Sequence, residues 1–153
     1  MSSSSKNNDV GEQAAVLFGN GYHCAESIVV AVLEACGENG KKIAPMATPF
    51  GGGFAESFAE VCGVVSGSML VIGCCHGRNE QGASWNKAAD LGREFIEIFR
   101  SAHGTLNCGK LVGQVNEEEQ MNHCRNIVRS GAICLMEVLG KASEYSDKQH
   151  VLR

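Results

Sequence analysis

Positive charge is in short supply in this chain. Thirteen Lys and Arg stand against 17 Asp and Glu, for a formal net charge of −4, and no basic run is longer than Lys41-Lys42. Phosphate binding needs concentrated cationic surface, so this balance argues against a nucleic-acid protein and against a polybasic membrane binder. Long apolar runs are missing too. The longest, Val64 to Cys75, is broken by Ser66, Gly67, Ser68 and Gly73, and a bilayer span needs ~20 residues. No apolar export segment follows the polar first eight residues, which predicts a disordered tail over 1–8 and a soluble, cytoplasmic protein. No Gly-Lys-Ser/Thr follows the triplet Gly51-Gly52-Gly53, so it is not a phosphate loop. Ser/His/Asp or paired-carboxylate chemistry has no recognisable spacing.

Cysteine, by contrast, is abundant, with residues at 24, 36, 62, 74, 75, 108, 124 and 134. None of these forms Cys-x-x-Cys, which removes the ribbon-type zinc, thioredoxin-like and common ferredoxin patterns. There is also no Cys-x-x-Cys-His, hence no attachment site for c-type haem in this chain. A cysteine site here has to be assembled from distant segments.

Apolar residues recur at helical spacing along most of the chain. Val10, Ala14, Leu17 and Phe18 mark a first helix with Asp9 as its cap and Asn20-Gly21 at its end. Ala25, Ile28, Val29, Val32 and Leu33 mark a second, from Cys24 to Cys36, stopped by Gly37. Residues 38–54, holding both prolines and the glycine triplet, read as connector, and a third helix is expected from about Glu56 to Cys75. Ser84 can cap a fourth, with Trp85, Ala88, Gly92, Phe95, Ile96 and Phe99 as its core stripe and His103-Gly104 at its end. Asn116 followed by Glu119 is a capping-box pattern opening the last helix. The expectation is all-α: a single-domain bundle of about five helices over residues 9–142, with a polar C-terminal tail over 143–153.

Helix rise sorts the cysteines. Cys36 lies 12 residues beyond Cys24, about 18 Å along a helix axis, and Cys74 and Cys75 are similarly displaced from Cys62. Cys134 is about 15 Å from Cys124 by the same rise. This leaves one group able to share a site, Cys24, Cys62, Cys108 and Cys124, and four outliers. Cys36, Cys74 and Cys75 are either packing residues or a second thiol cluster at the opposite helix ends. Cys24 opens a helix, where the dipole favours thiolate. Cys62 is followed by Gly63, Ser66 and Gly67, which suit either close helix packing or room for a ligand at the sulfur. His23 and His123 each precede a cysteine of the group, and could tune or ligate a centre or simply sit at a helix edge.

These residues resemble the C_GCAxxG_C_C family, whose members are described as redox-active. Gly21-Tyr22-His23-Cys24-Ala25 resembles its Gly-Tyr-Asn-Cys-Ala signature, and Phe50-Gly51-Gly52-Gly53 its Gly-rich stretch. Cys62-Gly63-Val64-Val65-Ser66-Gly67 resembles its Cys-Gly-Ala-x-x-Gly motif, while Cys108-Gly109 and Cys124 resemble its last two cysteines. The likeness runs from about Gly19 to Leu139. Two departures stand out: His23 replaces the usual Asn, and Val64 the motif alanine. The chain is also similar to the non-haem domain of split-Soret cytochromes, for which an iron–sulfur cluster has been inferred. The resemblance implies a redox role for Cys24, Cys62, Cys108 and Cys124, with His23, Gly63, Gly67 and His123 as candidate surroundings.

Four thiolates suit a 2Fe–2S or 4Fe–4S cluster. A structural zinc site accepts the same sulfurs without redox chemistry, and metal-free thiol–disulfide exchange is a third use. The expectation is an electron carrier or oxidoreductase accessory protein rather than a stand-alone enzyme. Its redox partner is not identifiable from sequence, and a homodimer is compatible with the 44% apolar composition.

Overall fold

Side chains that take up free backbone N–H groups set most of the helix starts. In the computed structural model, which describes the backbone of residues 2–151 and the side chains of residues 2–143, Ser2 Oγ accepts from the Ser5 N–H at 3.2 Å and opens α1, Ser3–Gly19. The first eight residues are therefore not a tail from position 3 onward: they form the leading turns of α1, with Ser2 rather than Asp9 as cap. Helix α2 is Cys24–Ala35. Asn39 accepts from the Lys42 N–H at 3.1 Å and opens α3, Gly40–Ala47, which leads into a short 3₁₀ turn, Thr48–Phe50. The segment expected to be connector is thus largely helical. Pro45, a residue that normally weakens a helix interior, lies inside α3 and masks in the sequence the start signal that Asn39 provides.

Helix α4 is Gly63–His76 and α5 is Asn86–His103. Gly104, at φ +77°, closes α5 with its N–H donating to the Arg100 carbonyl at 2.7 Å. Asn107 caps the five-residue α6, Cys108–Val112. Asn116 accepts from the Glu119 N–H at 2.9 Å just ahead of α7, Glu117–Val151. The polar tail expected over 143–153 is helical backbone as far as Val151, and residues 152 and 153 lie outside the described residues. The class is all-α, with seven α-helices among the described residues rather than about five. The two extra ones are the short α3 and α6. Among the described residues the β-pairing is a single isolated bridge, Val61–Asn107, and no helix is long and apolar enough to cross a membrane.

Helix α2 is the axis of the molecule. Every residue from Ala25 to Leu33 is buried, as expected of a helix surrounded on all sides. It packs against α1, α3, α4 and α7. Two of these contacts require bare glycine. A Cβ on Gly40 would lie 2.7 Å from the Val30 backbone, and one on Gly67 2.7 Å from the Ala25 carbonyl. Of the expected α5 stripe, Gly92, Phe95 and Phe99 are buried and Ala88 and Ile96 partly so, and Leu91, outside that stripe, is buried with them. Trp85 does not join them and is 63% exposed. It sits one residue ahead of the first helical turn, so it shares none of the stripe's direction.

Candidate functional site

Three of the four grouped cysteines stand at helix beginnings: Cys24 is the first residue of α2, Cys62 is the residue capping α4, and Cys108 is the first residue of α6. Each therefore lies beside unpaired backbone N–H groups at a positive helix end. Cys124 comes in from the side, two turns into α7. All four line one cavity of about 260 Å³, together with Tyr22, His23, Val64, Leu111, Ile127 and other residues. Cys62 and Cys108 are buried, Cys24 and Cys124 half-buried.

Backbone pairing fixes the two loop-borne cysteines. The Cys62 N–H donates to the Leu106 carbonyl at 2.8 Å, and the Cys108 N–H donates to the Glu60 carbonyl at 2.8 Å. Asn107 adds a side-chain bond from Nδ2 to the Ala59 carbonyl at 2.7 Å. The segments before α4 and α6 thus run antiparallel and present their cysteines side by side. Glycine then permits the closest approaches. A Cβ on Gly63 would fall 2.3 Å from Cys24 Sγ, and one on Gly53 would fall 2.5 Å from Cys108 Cβ and 3.2 Å from its Sγ.

The wall carrying Gly53 has an unusual backbone. Gly52, Gly53, Phe54, Ala55, Glu56 and Phe58 all have φ between +51° and +65°, a left-handed conformation that costs residues other than glycine about 1–2 kcal/mol each. Long-reach bonds hold the turn in place: the Ala55 N–H donates to the Pro49 carbonyl at 2.8 Å and the Phe58 N–H to the Gly52 carbonyl at 2.9 Å. Sequence reading placed a helix start at Glu56. The structure places this left-handed turn there and delays the helix to Gly63.

Burial and mutual proximity shape the ionisation of the thiols. Burial pushes the Cys62 thiol up to about 12, with further upward contributions from Cys24, Cys108 and Cys124, against a lowering hydrogen bond from the Val64 backbone. Burial and then Cys24 and Cys108 push Cys124 up to about 11. Cys108 is raised by burial and by Cys24. The like-charge contributions run among the same four residues, which is the electrostatic signature of a shared site.

The surrounding candidates separate. His23 lines the cavity, its ring lying where a Cβ on Gly51 would come within 2.7 Å of Nδ1, and its Nε2 is 3.6 Å from Glu56 Oε1. The buried Glu26 anchors it, accepting from the His23 N–H at 2.8 Å and from Thr48 Oγ1 at 2.6 Å. Gly63 borders Cys24, whereas Gly67 belongs to the α2–α4 contact and His123 is exposed and outside the cavity lining. Residues missed by sequence reading are Glu26 and Thr48, whose only signal was an acid three residues beyond His23, and Gly131. A Cβ on Gly131 would lie 2.3 Å from Val64 Cγ1, so that glycine makes room for the valine standing in place of the motif alanine.

The sequence profile of the family described as "Putative redox-active protein (C_GCAxxG_C_C)" matches residues 22–138, a span containing all four cavity cysteines. The chain belongs to this family. No significant match occurs among the curated proteins or the solved structures. In this member of the C_GCAxxG_C_C family, the four cysteines surround a space rather than meet at a point. Among the described residues no three Cys, His, Asp or Glu side chains are close enough to clasp one metal ion.

Proposed function

We propose that this chain is an electron-transfer protein whose Cys24, Cys62, Cys108 and Cys124 hold an iron–sulfur cluster. The observation carrying this reading is that four thiols from four elements line a single cavity of about 260 Å³. A tetrahedral zinc site with Zn–S bonds of about 2.3 Å draws its sulfurs to within roughly 3.8 Å of one another. Thiols spread around a cavity suit a larger inorganic core with ligands at its corners. The family's redox description points the same way.

When bound, such a cluster would take up and release single electrons. The chain's own residues would do the rest. Three helix N-termini direct partial positive charge at a thiolate-rich, net negative site, which favours the reduced form. Burial of Cys62 and Cys108 keeps water from two of the sulfurs, and the half-buried Cys24 and Cys124 leave an edge through which a redox partner can exchange electrons. Structural zinc and metal-free exchange among the same thiols are the rival uses. Anaerobic purification followed by visible absorption and analysis of iron, acid-labile sulfide and zinc separates them. Brown protein with iron and sulfide in matching amounts is expected. Colourless protein with one zinc per chain, or with no metal after reconstitution, overturns the proposal.

A further inference from the structure

A second pair of thiols meets at the other end of the two helices that begin at the cavity. Cys36 caps the C-terminus of α2, and Cys75 lies in the last turn of α4. The two helices start side by side, Gly63 against Cys24 and Gly67 against Ala25, and remain in contact. Cys36 and Cys75, 12 residues beyond Cys24 and Gly63 respectively, therefore emerge as neighbours whose thiols act on each other's ionisation. The pair is about 18 Å from the cavity cysteines by helix rise, too far to share a centre with them. Cys36 is exposed and Cys75 half-buried. Cys36 also lines an open groove of about 560 Å³, with Lys6 and Lys141 on its walls. That volume suits a small molecule.

We propose that Cys36 and Cys75 form a dithiol–disulfide couple that reduces a low-molecular-weight disulfide entering this groove, with Cys36 as attacking and Cys75 as resolving thiol. The asymmetry between the two sulfurs supports the assignment. The Cys75 S–H donates to Cys36 and, with Lys6 nearby, lowers Cys36 to about 7 despite its partial burial and the opposing charge of Glu38. Cys75 is correspondingly raised, by that same bond, by burial and by the charges of Cys36, Cys74 and Glu38. Cys36 is thus ionised near neutral pH while Cys75 keeps its proton.

The chemistry balances without any metal. The Cys36 thiolate attacks one sulfur of the external disulfide, forming a mixed disulfide and expelling one thiolate, which takes a proton from water. With the Cys36 charge gone, Cys75 releases its proton to water and attacks Cys36 Sγ. The Cys36–Cys75 bond forms and the second external thiolate leaves and is protonated. The protein is oxidised by two electrons and the external disulfide is reduced to two thiols. This couple stands whether or not the cavity holds a cluster.

The test treats the reduced full-length protein with oxidised glutathione at pH 7 and maps its disulfides. Cleavage after Glu34 and Glu38 isolates Cys36 in residues 35–38, apart from Cys24. Fragmentation of residues 61–80 then locates the partner among Cys62, Cys74 and Cys75. A Cys36–Cys75 cross-link as the end product is expected. Cys36 left as a stable mixed disulfide, linked to Cys74, or unreacted overturns the proposal. In Cys75→Ala, the mixed disulfide should persist at Cys36, and alkylation of Cys36 at pH 7 should slow about fivefold, the gain in thiolate being partly offset by its lower nucleophilicity. An unchanged alkylation rate in a variant of native helicity would refute activation by Cys75.

Discussion

At the scale of single residues, Cys62 carries the largest consequence. In the folded chain its thiol keeps its proton up to about 12, against an ordinary value of 9.0, chiefly because it is buried. Unfolding exposes it and lets it ionise. Its stabilising contribution is therefore fully present below pH 9 and is lost as pH rises toward 12. Between pH 8 and pH 10, the metal-free protein should lose about 1 kcal/mol through this residue alone. Urea unfolding at the two pH values should show that loss in the parent chain, and a correspondingly flatter dependence in Cys62→Ala. An identical slope in both would mean that Cys62 is less enclosed than its 7% exposure indicates. The grouping of Cys24, Cys62, Cys108 and Cys124 was legible in the sequence because helix rise alone separates them from the remaining cysteines. What spacing could not supply was Cys108's neighbourhood: its pairing to Glu60 is backbone to backbone and leaves no mark in side-chain pattern.

At the scale of elements, close helix contacts explain why the departure at Val64 is tolerated. Gly131 on α7 leaves the space that Val64 on α4 occupies, with a hypothetical Cβ only 2.3 Å from Val64 Cγ1. Gly131→Ala should destabilise the chain by about 1–3 kcal/mol by overpacking, even though alanine is the better helix former. Combining it with Val64→Ala should recover much of that loss, giving a coupling energy of about 1 kcal/mol or more in a double-mutant cycle. Additive effects would show that the two side chains do not compete for one space.

The left-handed turn before α4 has its own signature. Ala55, at φ +51°, is a strained L-residue. Ala55→Gly should raise stability by about 0.5–1 kcal/mol, relief of strain outweighing the extra entropy of the unfolded glycine. Thermal unfolding of the metal-free variant reads this directly, and a fall in midpoint would contradict it. The long helices α2, α5 and α7 were legible from their apolar period, with Gly104 ending α5 and Asn116 opening α7 as expected. The cap position of α5, however, falls on Trp85 rather than on the expected Ser84, without a side-chain cap bond from Trp85. The left-handed turn was not legible, since Phe54, Ala55 and Glu56 carry no preference for positive φ and are held there by the surrounding bonds. The capped α3 was obscured by Pro45 in the same way: local chemistry argued against a helix that packing on α2 stabilises, with Gly40 pressed against Val30.

At the scale of the whole molecule, two packed helices carry thiols at both ends. The α2–α4 pair places Cys24 and Cys62 at the cavity and Cys36, with Cys75 as its neighbour, at the far end, where Cys36 lines the groove, while Cys134 lines neither. Cys134 is half-buried and raised to about 11 by burial and by Glu137 and Glu94, which marks it as a packing thiol and a natural control. The measurement that tests the central claim most directly is iron and acid-labile sulfide content after anaerobic reconstitution, compared between Cys62→Ser and Cys134→Ser. Cys134→Ser should retain the full content and the visible absorption of the parent chain. Cys62→Ser should lose most of both while keeping its helical circular dichroism. Equal iron and sulfide in the two variants, or none in the parent protein, would contradict a cluster held in the four-cysteine cavity.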